Sequence, residues 1–343
     1  MRIKYPAAVA GAIAASAPIW QFTGLTGPDV YNSIITRVYT SDTEQCSAAI
    51  KRSWSIIGNY SLTPAGLTTL TSIFQPCNAT FTNHTAHSLY DFLYSAISYL
   101  AMANYPYEAD FLGPLPASPV SHVCRNHFST VNTTDDVAVL RAMAALANTF
   151  YNYTGQAGEC FDIVSGSHGP STLGNGLQGW SWQSCTEMVM PIGQYEATDM
   201  FWGDQWDLAA VKERCRTQYG VEPSEGYIER HYSGVHIESA SRILFSNGKL
   251  DPWSGGGVND TALSGWYGTS NTRGVVAMLM DSAAHHLDLR GSNATYDPQS
   301  VQWVRQQQKL YIQAWIDGYD TPAEENATAG LDTKCQLHLN NAP

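Results

Sequence analysis

Residues 1–22, MRIKYPAAVAGAIAASAPIWQF, support two incompatible readings. Met1, Arg2 and Lys4 make a basic start, Ala7 to Ala15 is mildly apolar, and Ala15-Ser16-Ala17 has the small residues of a cleavage site. Together they imitate a secretory signal peptide. The same letters suit an internal strand, and Pro6 with an Ala/Gly-rich, weakly apolar middle makes a poor signal core. Either the stretch is a removable leader, or it is part of a sheet that residues far down the chain must complete.

The rest of the composition narrows the class. The chain has 343 residues, 44% of them hydrophobic, which is enough for a large core in one big domain or two ordinary ones. Charged residues are only 14% and the formal net charge is −12. Such a surface repels phosphate backbones, and no Lys/Arg cluster relieves it, so nucleic acid is not an expected partner. No run of about 18 uninterrupted apolar residues suggests a membrane span. Asn-X-Ser/Thr acceptors begin at Asn59, Asn78, Asn83, Asn132, Asn152, Asn259, Asn293 and Asn326, several-fold more than composition alone yields. The seven cysteines, Cys46, Cys77, Cys124, Cys160, Cys185, Cys215 and Cys335, are widely spaced and lack a C-x-x-C pair. They fit up to three disulfides and one spare thiol in an oxidising compartment, so the secretory route is expected.

Helical periodicity dominates from about Ser41 to Tyr153. Leu89, Phe92, Leu93, Ala96, Ile97 and Leu100 recur at i, i+3, i+4, i+7, and Cys46, Ala49, Ile50, Trp54 and Ile57 do the same earlier. A further helix is expected from Asp135 as N-cap, with Val137, Leu140, Ala144 and Ala147 inward. The four prolines of YPYEADFLGPLPASPV argue against any regular element there. After Ser239 the pattern changes. SRILFSNG and GVVAMLMDS read as strands buried on two faces, and the stretch from Val301 returns to helix period with Val304, Leu310, Ile312 and Trp315. Strand, loop, strand, helix suggests the last part of an α/β sheet.

Asp251 follows the first of these strands and His285 follows the second. Functional groups gather at the carboxyl ends of strands in open α/β sheets, so these two are placed to meet. An Asp that orients a His general base is two-thirds of a nucleophilic triad, and Asp before His is the α/β-hydrolase order. The bland alternative is a turn opened by Asp251-Pro252 and a loop decorated by His285 and His286. The third member, a Ser in a G-x-S-x-G elbow, occurs nowhere in the sequence: Ser254 lacks the first glycine and follows the Asp, and Ser16 has no elbow glycines. His84 and His87 have a metal-like spacing but no third ligand, so no metal or cofactor is expected. SGGGV from Ser254 lacks the Lys-Ser/Thr of a phosphate loop.

GAIAASAPIWQF, YPYEADFLGPLPASPV, WSWQSCTEMVMP, LFSNGKLDPWSGGGV and AAHHLDLR together resemble the family of Pro-Xaa carboxypeptidases and dipeptidyl peptidase II, over Met1 to about Tyr319. The resemblance implies an α/β-hydrolase fold with a large inserted helical cap, divided as 1–22 (hydrolase), 23–235 (cap), 236–320 (hydrolase, with Asp and His) and 321–343 (loose tail). It implies that residues 1–22 are an internal strand beyond the nucleophile segment, that the early strands and the Ser lie outside this chain, and that the chain as written is inactive. Asp251 and His285 match the catalytic Asp and His. Met190 and Trp253 match an apolar slot suited to a proline ring. The family frame pairs Cys46 with Cys124, Cys77 with Cys160 and Cys185 with Cys215, and leaves Cys335 unassigned. Pro28 and Gly193 stand where the carboxypeptidase branch has a further bridge. The implied activity is a serine exopeptidase acting beside proline in short peptides, extracellular or lysosomal/vacuolar, and compatible with a homodimer. A dipeptidyl-peptidase specificity and a non-catalytic, peptide-binding secreted glycoprotein remain alternatives.

Overall fold

A computed structural model describes residues 1–322 apart from 23, 78, 111–112, 157, 159, 164–175, 233–236, 238–239 and 259–272. Strand β1 (Ala12–Ala15) comes first, followed by helices α1 (Val30–Asp42), α2 (Glu44–Ser61), α3 (Pro64–Phe74) and α4 (Ser88–Met102). Two short strands, β2 (Ala109–Asp110) and β3 (Pro114–Leu115), precede α5 (Pro119–Val123), α6 (Asp136–Tyr151), α7 (Gly176–Ser184), α8 (Leu208–Tyr219) and α9 (Tyr227–Tyr232). Strands β4 (Ile243–Gly248) and β5 (Val275–Met280) and helix α10 (Gln299–Ile316) close the described chain.

Helices α2, α3 and α6 begin where the sequence supplies caps. Thr43 accepts from the Cys46 amide, Thr63 from Gly66 with Pro64 in the first turn, and Asp135 from Val137 and Ala138. The expected stripes of α2 and α4 are buried. In α6 the inward face is rotated slightly, because Val139, Met143 and Leu146 join Leu140 and Ala147, leaving Val137 and Ala144 at its margins. The proline-rich stretch does contain regular structure. β2 and β3 pair antiparallel, and Pro119 opens α5, where a missing N–H costs nothing.

β1, β4 and β5 form one parallel sheet in that order, with Ala12 opposite Ile243 and Ile243 opposite Val275. Residues 12–15 therefore lie inside the sheet, and Arg2 binds the Ser241 carbonyl at the foot of β4. Gly11 leaves room for the Trp315 indole of α10, since a Cβ there would overlap the ring. β4 is buried at every residue, as expected of a central strand. β5 is not buried on both faces: it is an edge of the described sheet and Leu279 is exposed. Leu310 and Ile312 of α10 are also exposed. Val301, Val304, Gln308 and Trp315 form the inward stripe, and Leu310 falls on the opposite side of the helix.

One core runs from the helices to the sheet, joining Ile35, Leu93 and Met143 to Leu244, Met280 and Val301. The other sheet face packs Ile243, Phe245 and Val275 against Ile19, Trp20 and Ile237. The result is a mixed α/β molecule with a small parallel sheet beside a broad helical layer. Three disulfides cross-link that layer: Cys46–Cys124, Cys77–Cys160 and Cys185–Cys215, with Cα separations of 5.4, 5.0 and 5.4 Å. Pro28 and Gly193 also meet, through a backbone bond from the Gly193 N–H to the Pro28 carbonyl (2.8 Å). A Cβ on Gly193 would press on the Trp206 amide, which explains the glycine. Cys335 lies outside the described residues. Peptide mapping without reduction is expected to recover these three links, and Cys46→Ala with Cys124→Ala to lower the unfolding free energy by about 2–4 kcal/mol in urea.

Candidate active site

The loops that leave β4 and β5 are zipped together. Lys249 N–H donates to the Met280 carbonyl (3.0 Å) and Leu250 N–H to the Ala283 carbonyl (2.9 Å). Such close passage requires the glycine that ends β4, because a Cβ on Gly248 would overlap the Ala283 carbonyl. One residue beyond the zip, Asp251 caps the turn Pro252–Gly256, its Oδ1 accepting from the Trp253 amide (3.0 Å). Its Oδ2 lies 2.8 Å from His285 Nδ1. Asp251 is fully buried and the His285 side chain is 13% exposed, so the pair is shielded while the imidazole keeps contact with the outside. In the tautomer that directs Nδ1–H at the carboxylate, Nε2 is the ring nitrogen that can accept a proton.

The glycines after Asp251 serve close packing rather than phosphate binding. Gly255 abuts Val30 and Ile34 of α1, Gly256 abuts Gln21, and Gly257 abuts Asn247. Trp253 is half-buried, donates its indole N–H to the Met102 sulfur (3.4 Å), and meets Tyr31 and Trp180 edge to face at 4.8 and 5.9 Å. Tyr31 and Trp180 were not legible as site residues, since nothing in their spacing aims them at position 253. Met190 is half-buried, just before Pro191, whose carbonyl accepts from Gln21 Nε2 (2.7 Å).

The His285 loop is gripped from below. Arg305 of α10 donates to the carbonyls of Leu287 (2.7 Å), Asp288 (2.8 Å) and Arg290 (3.1 Å) and pairs with buried Asp297. Asp288 is buried too and accepts from Ser246 Oγ (2.7 Å) and Gln308 Nε2 (2.6 Å). The visible signal was an Arg in a helix otherwise rich in glutamine. Ser16 ends β1 with φ 47° and accepts from the His286 amide (3.0 Å). His84 is exposed, and His87 faces Tyr90 and Trp202. Among the described residues no group of three His, Cys, Asp or Glu side chains is arranged to hold a metal. Of the glycosylation acceptors, Asn59, Asn83 and Asn132 are exposed and Asn152 and Asn293 half-buried; Asn78, Asn259 and Asn326 lie outside the described residues.

Known proteins bear on this geometry. The profile of the family described as Serine carboxypeptidase S28 matches residues 1–308. The chain belongs to the S28 serine carboxypeptidase family. It is 39% identical to Lysosomal Pro-X carboxypeptidase of Bos taurus over 93% of this chain and 60% of that protein. The human protein of the same name is also 39% identical, over 95% of this chain and 62% of its own length. Prolyl carboxy peptidase like protein 5 of Caenorhabditis elegans is 33% identical over 92% and 62%. The chain thus spans about 60% of the length of these S28 relatives. No helix among the described residues is long and apolar enough to cross a membrane.

Two measurements probe the site's construction. Gly248→Ala is expected to cost about 1–3 kcal/mol of stability by urea denaturation, because the zipped loops must separate to admit the methyl group. The His286 ring lies against His285, with centroids 3.8 Å apart and planes tilted by 49°, and burial, then the neighbouring imidazole, holds its pKa below the usual histidine value. Its contribution to stability is therefore complete above about pH 6.5 and lost as pH falls through the lowered value. His286→Asn, chosen because asparagine tolerates the left-handed φ of 56°, is expected to flatten the stability loss between about pH 7 and 5.

Proposed function

We propose that the protein is a serine-type exopeptidase that cleaves beside proline in short peptides, with Asp251 and His285 as two members of its triad. The observation that carries this reading is the buried Asp251–His285 hydrogen bond at the carboxyl ends of two adjacent parallel strands. Family membership supports the reaction class, and the names of the mammalian relatives support both proline-directed carboxypeptidase specificity and a lysosomal destination. The disulfides and the eight glycosylation acceptors fit that destination. In this reading residues 1–22 and 236–320 belong to an α/β-hydrolase sheet, and residues 23–235 form a helical cap that supplies the substrate slot.

The chemistry follows from the pair. The nucleophile is assigned to a serine outside these 343 residues, since none within them sits in a G-x-S-x-G elbow. Its Oγ attacks the scissile carbonyl while His285 Nε2 takes the proton. The same proton passes to the leaving amine as the C–N bond breaks, and water then cleaves the acyl ester with His285 as base. Asp251 holds the imidazole in the working tautomer and stabilises its cation. Trp253 offers an indole face against which a proline ring packs, with Met190 on the same slot.

In the full-length protein, Asp251→Asn and His285→Gln are each expected to lower kcat about 10⁴-fold on a proline-containing peptide. A rate near that of the wild type in either variant would remove the residue from the triad. Fluorophosphonate labelling followed by peptide mapping locates the nucleophile: a tag on a serine outside residues 1–343 is expected. A tag inside them would overturn the assignment, and no tag at all would favour a peptide-binding glycoprotein without catalysis.

A further inference from the structure

His285 is held through its side chain by the sheet and through its main chain by the helices. Asp251 engages the imidazole at 2.8 Å. On the other side, the His285 N–H donates to the Met102 carbonyl (3.1 Å), and the His285 carbonyl accepts from the Tyr105 hydroxyl (2.8 Å). Met102 is the last residue of α4, so both peptide groups flanking the His285 Cα are fastened to residues 102–105 of the helical layer. Fixing one peptide group fixes a point. Fixing both fixes the two peptide planes, and with them the direction of the Cα–Cβ bond along which the imidazole approaches Asp251.

Tyr105 is built for this task. It is fully buried, and a buried phenol needs a partner for its hydroxyl. Its own carbonyl is tied by the Ser118 amide (2.7 Å), so the ring stands on an anchored backbone. The Arg290 guanidinium lies over the ring, 4.4 Å from its centroid, and Arg290 closes the turn that His285 opens. One side chain therefore braces both ends of that turn. Burial pushes the Tyr105 phenol up to about 12, with Arg290 pulling the other way, so the hydroxyl stays a donor wherever an imidazole base works.

We propose that Tyr105 is a positioning residue: its hydroxyl clamps the His285 carbonyl to the end of α4, so that the sheet and the helical layer jointly aim the general base. The role in turnover rests on the peptidase reading above; the clamp itself does not. Angular error at the base is costly, since a misplacement of about 1 Å loses on the order of 10²-fold in rate.

The test compares Tyr105→Phe, which keeps the buried ring, with Tyr107→Phe. Tyr107 has a buried hydroxyl without a hydrogen-bond partner among the described residues, and its ring centroid is 6.3 Å from that of Tyr105. Two readouts are taken. The first is the downfield proton resonance of His285 Nδ1–H in the full chain, which reports the bond to Asp251 whether or not peptides are cleaved. Asp251, Tyr105, His286, Asp288, Arg290, Asp297 and Arg305 are ionisable groups around this turn, so spectra are compared at one pH. Tyr105→Phe is expected to broaden the resonance through faster exchange, while Tyr107→Phe leaves it unchanged. The second is turnover by the full-length protein: kcat is expected to fall about three- to tenfold in Tyr105→Phe with KM within about twofold, the loss of one buried hydrogen bond. A Tyr105→Phe protein with the wild-type resonance and kcat overturns the proposal, as does equal broadening in both variants, which would indicate general loosening. Failure of the wild-type protein to cleave peptides would count against the peptidase reading alone, because the resonance comparison still decides the clamp.

Discussion

The candidate site depends on how closely two loops pass one another. The backbone bonds Lys249–Met280 and Leu250–Ala283 join the ends of β4 and β5, and only glycine at position 248 leaves room for them. Asp251 and His285 stand 34 positions apart in the chain, so no local preference brings them together. The parallel pairing of the two strands does, because it delivers both carboxyl ends to the same edge, and the zip then sets the remaining distance. Burial of Asp251 follows from the same contact, and burial is what makes its hydrogen bond to the imidazole strong and directional.

Around this centre the support comes from three directions. α10 reaches up with Arg305 and Gln308 to hold the carbonyls and the Asp288 carboxylate beneath the His285 turn. β1 contributes Ser16, whose strained backbone places its hydroxyl under the His286 amide. The helical layer contributes residues 102–105 and, through α1, the packing of Val30 and Ile34 against the glycine turn after Asp251. Among the described residues the disulfides Cys46–Cys124 and Cys77–Cys160 tie positions 78 and 83 residues apart, which cross-links the helical layer that flanks the site.

The buried Asp251 carboxylate is satisfied by an amide and an imidazole, and the rings that meet Trp253 are aromatic. Tyr31 and Trp180 both meet Trp253 edge to face.

Much of the architecture was determined by sequence alone, wherever a local rule applies. Helices α2, α4 and α6 follow from apolar periodicity, the last with Asp135 as its cap; β4 follows from a short apolar run closed by Asn-Gly. The placement of Asp251 and His285 just beyond predicted strands was equally legible. Other features were not, because they depend on neighbours distant in sequence. The exposure of Leu279, Leu310 and Ile312 depends on which faces of β5 and α10 find a partner, and apolar letters do not record that. Residues 1–22 carry the letters of both a leader and a strand, and although Pro6 and the weakly apolar middle argue against a leader, the strand's partner is seen only when β4 pairs with Ala12–Ala15. The roles of Tyr105, Arg305 and the three glycines after Ser254 arise only when α4, α10 and α1 close on the sheet. Sequence determined the elements and the ionisable pair; the tertiary structure alone decided their contacts, because hydrogen bonds and close packing are made between chain segments that only folding brings within reach.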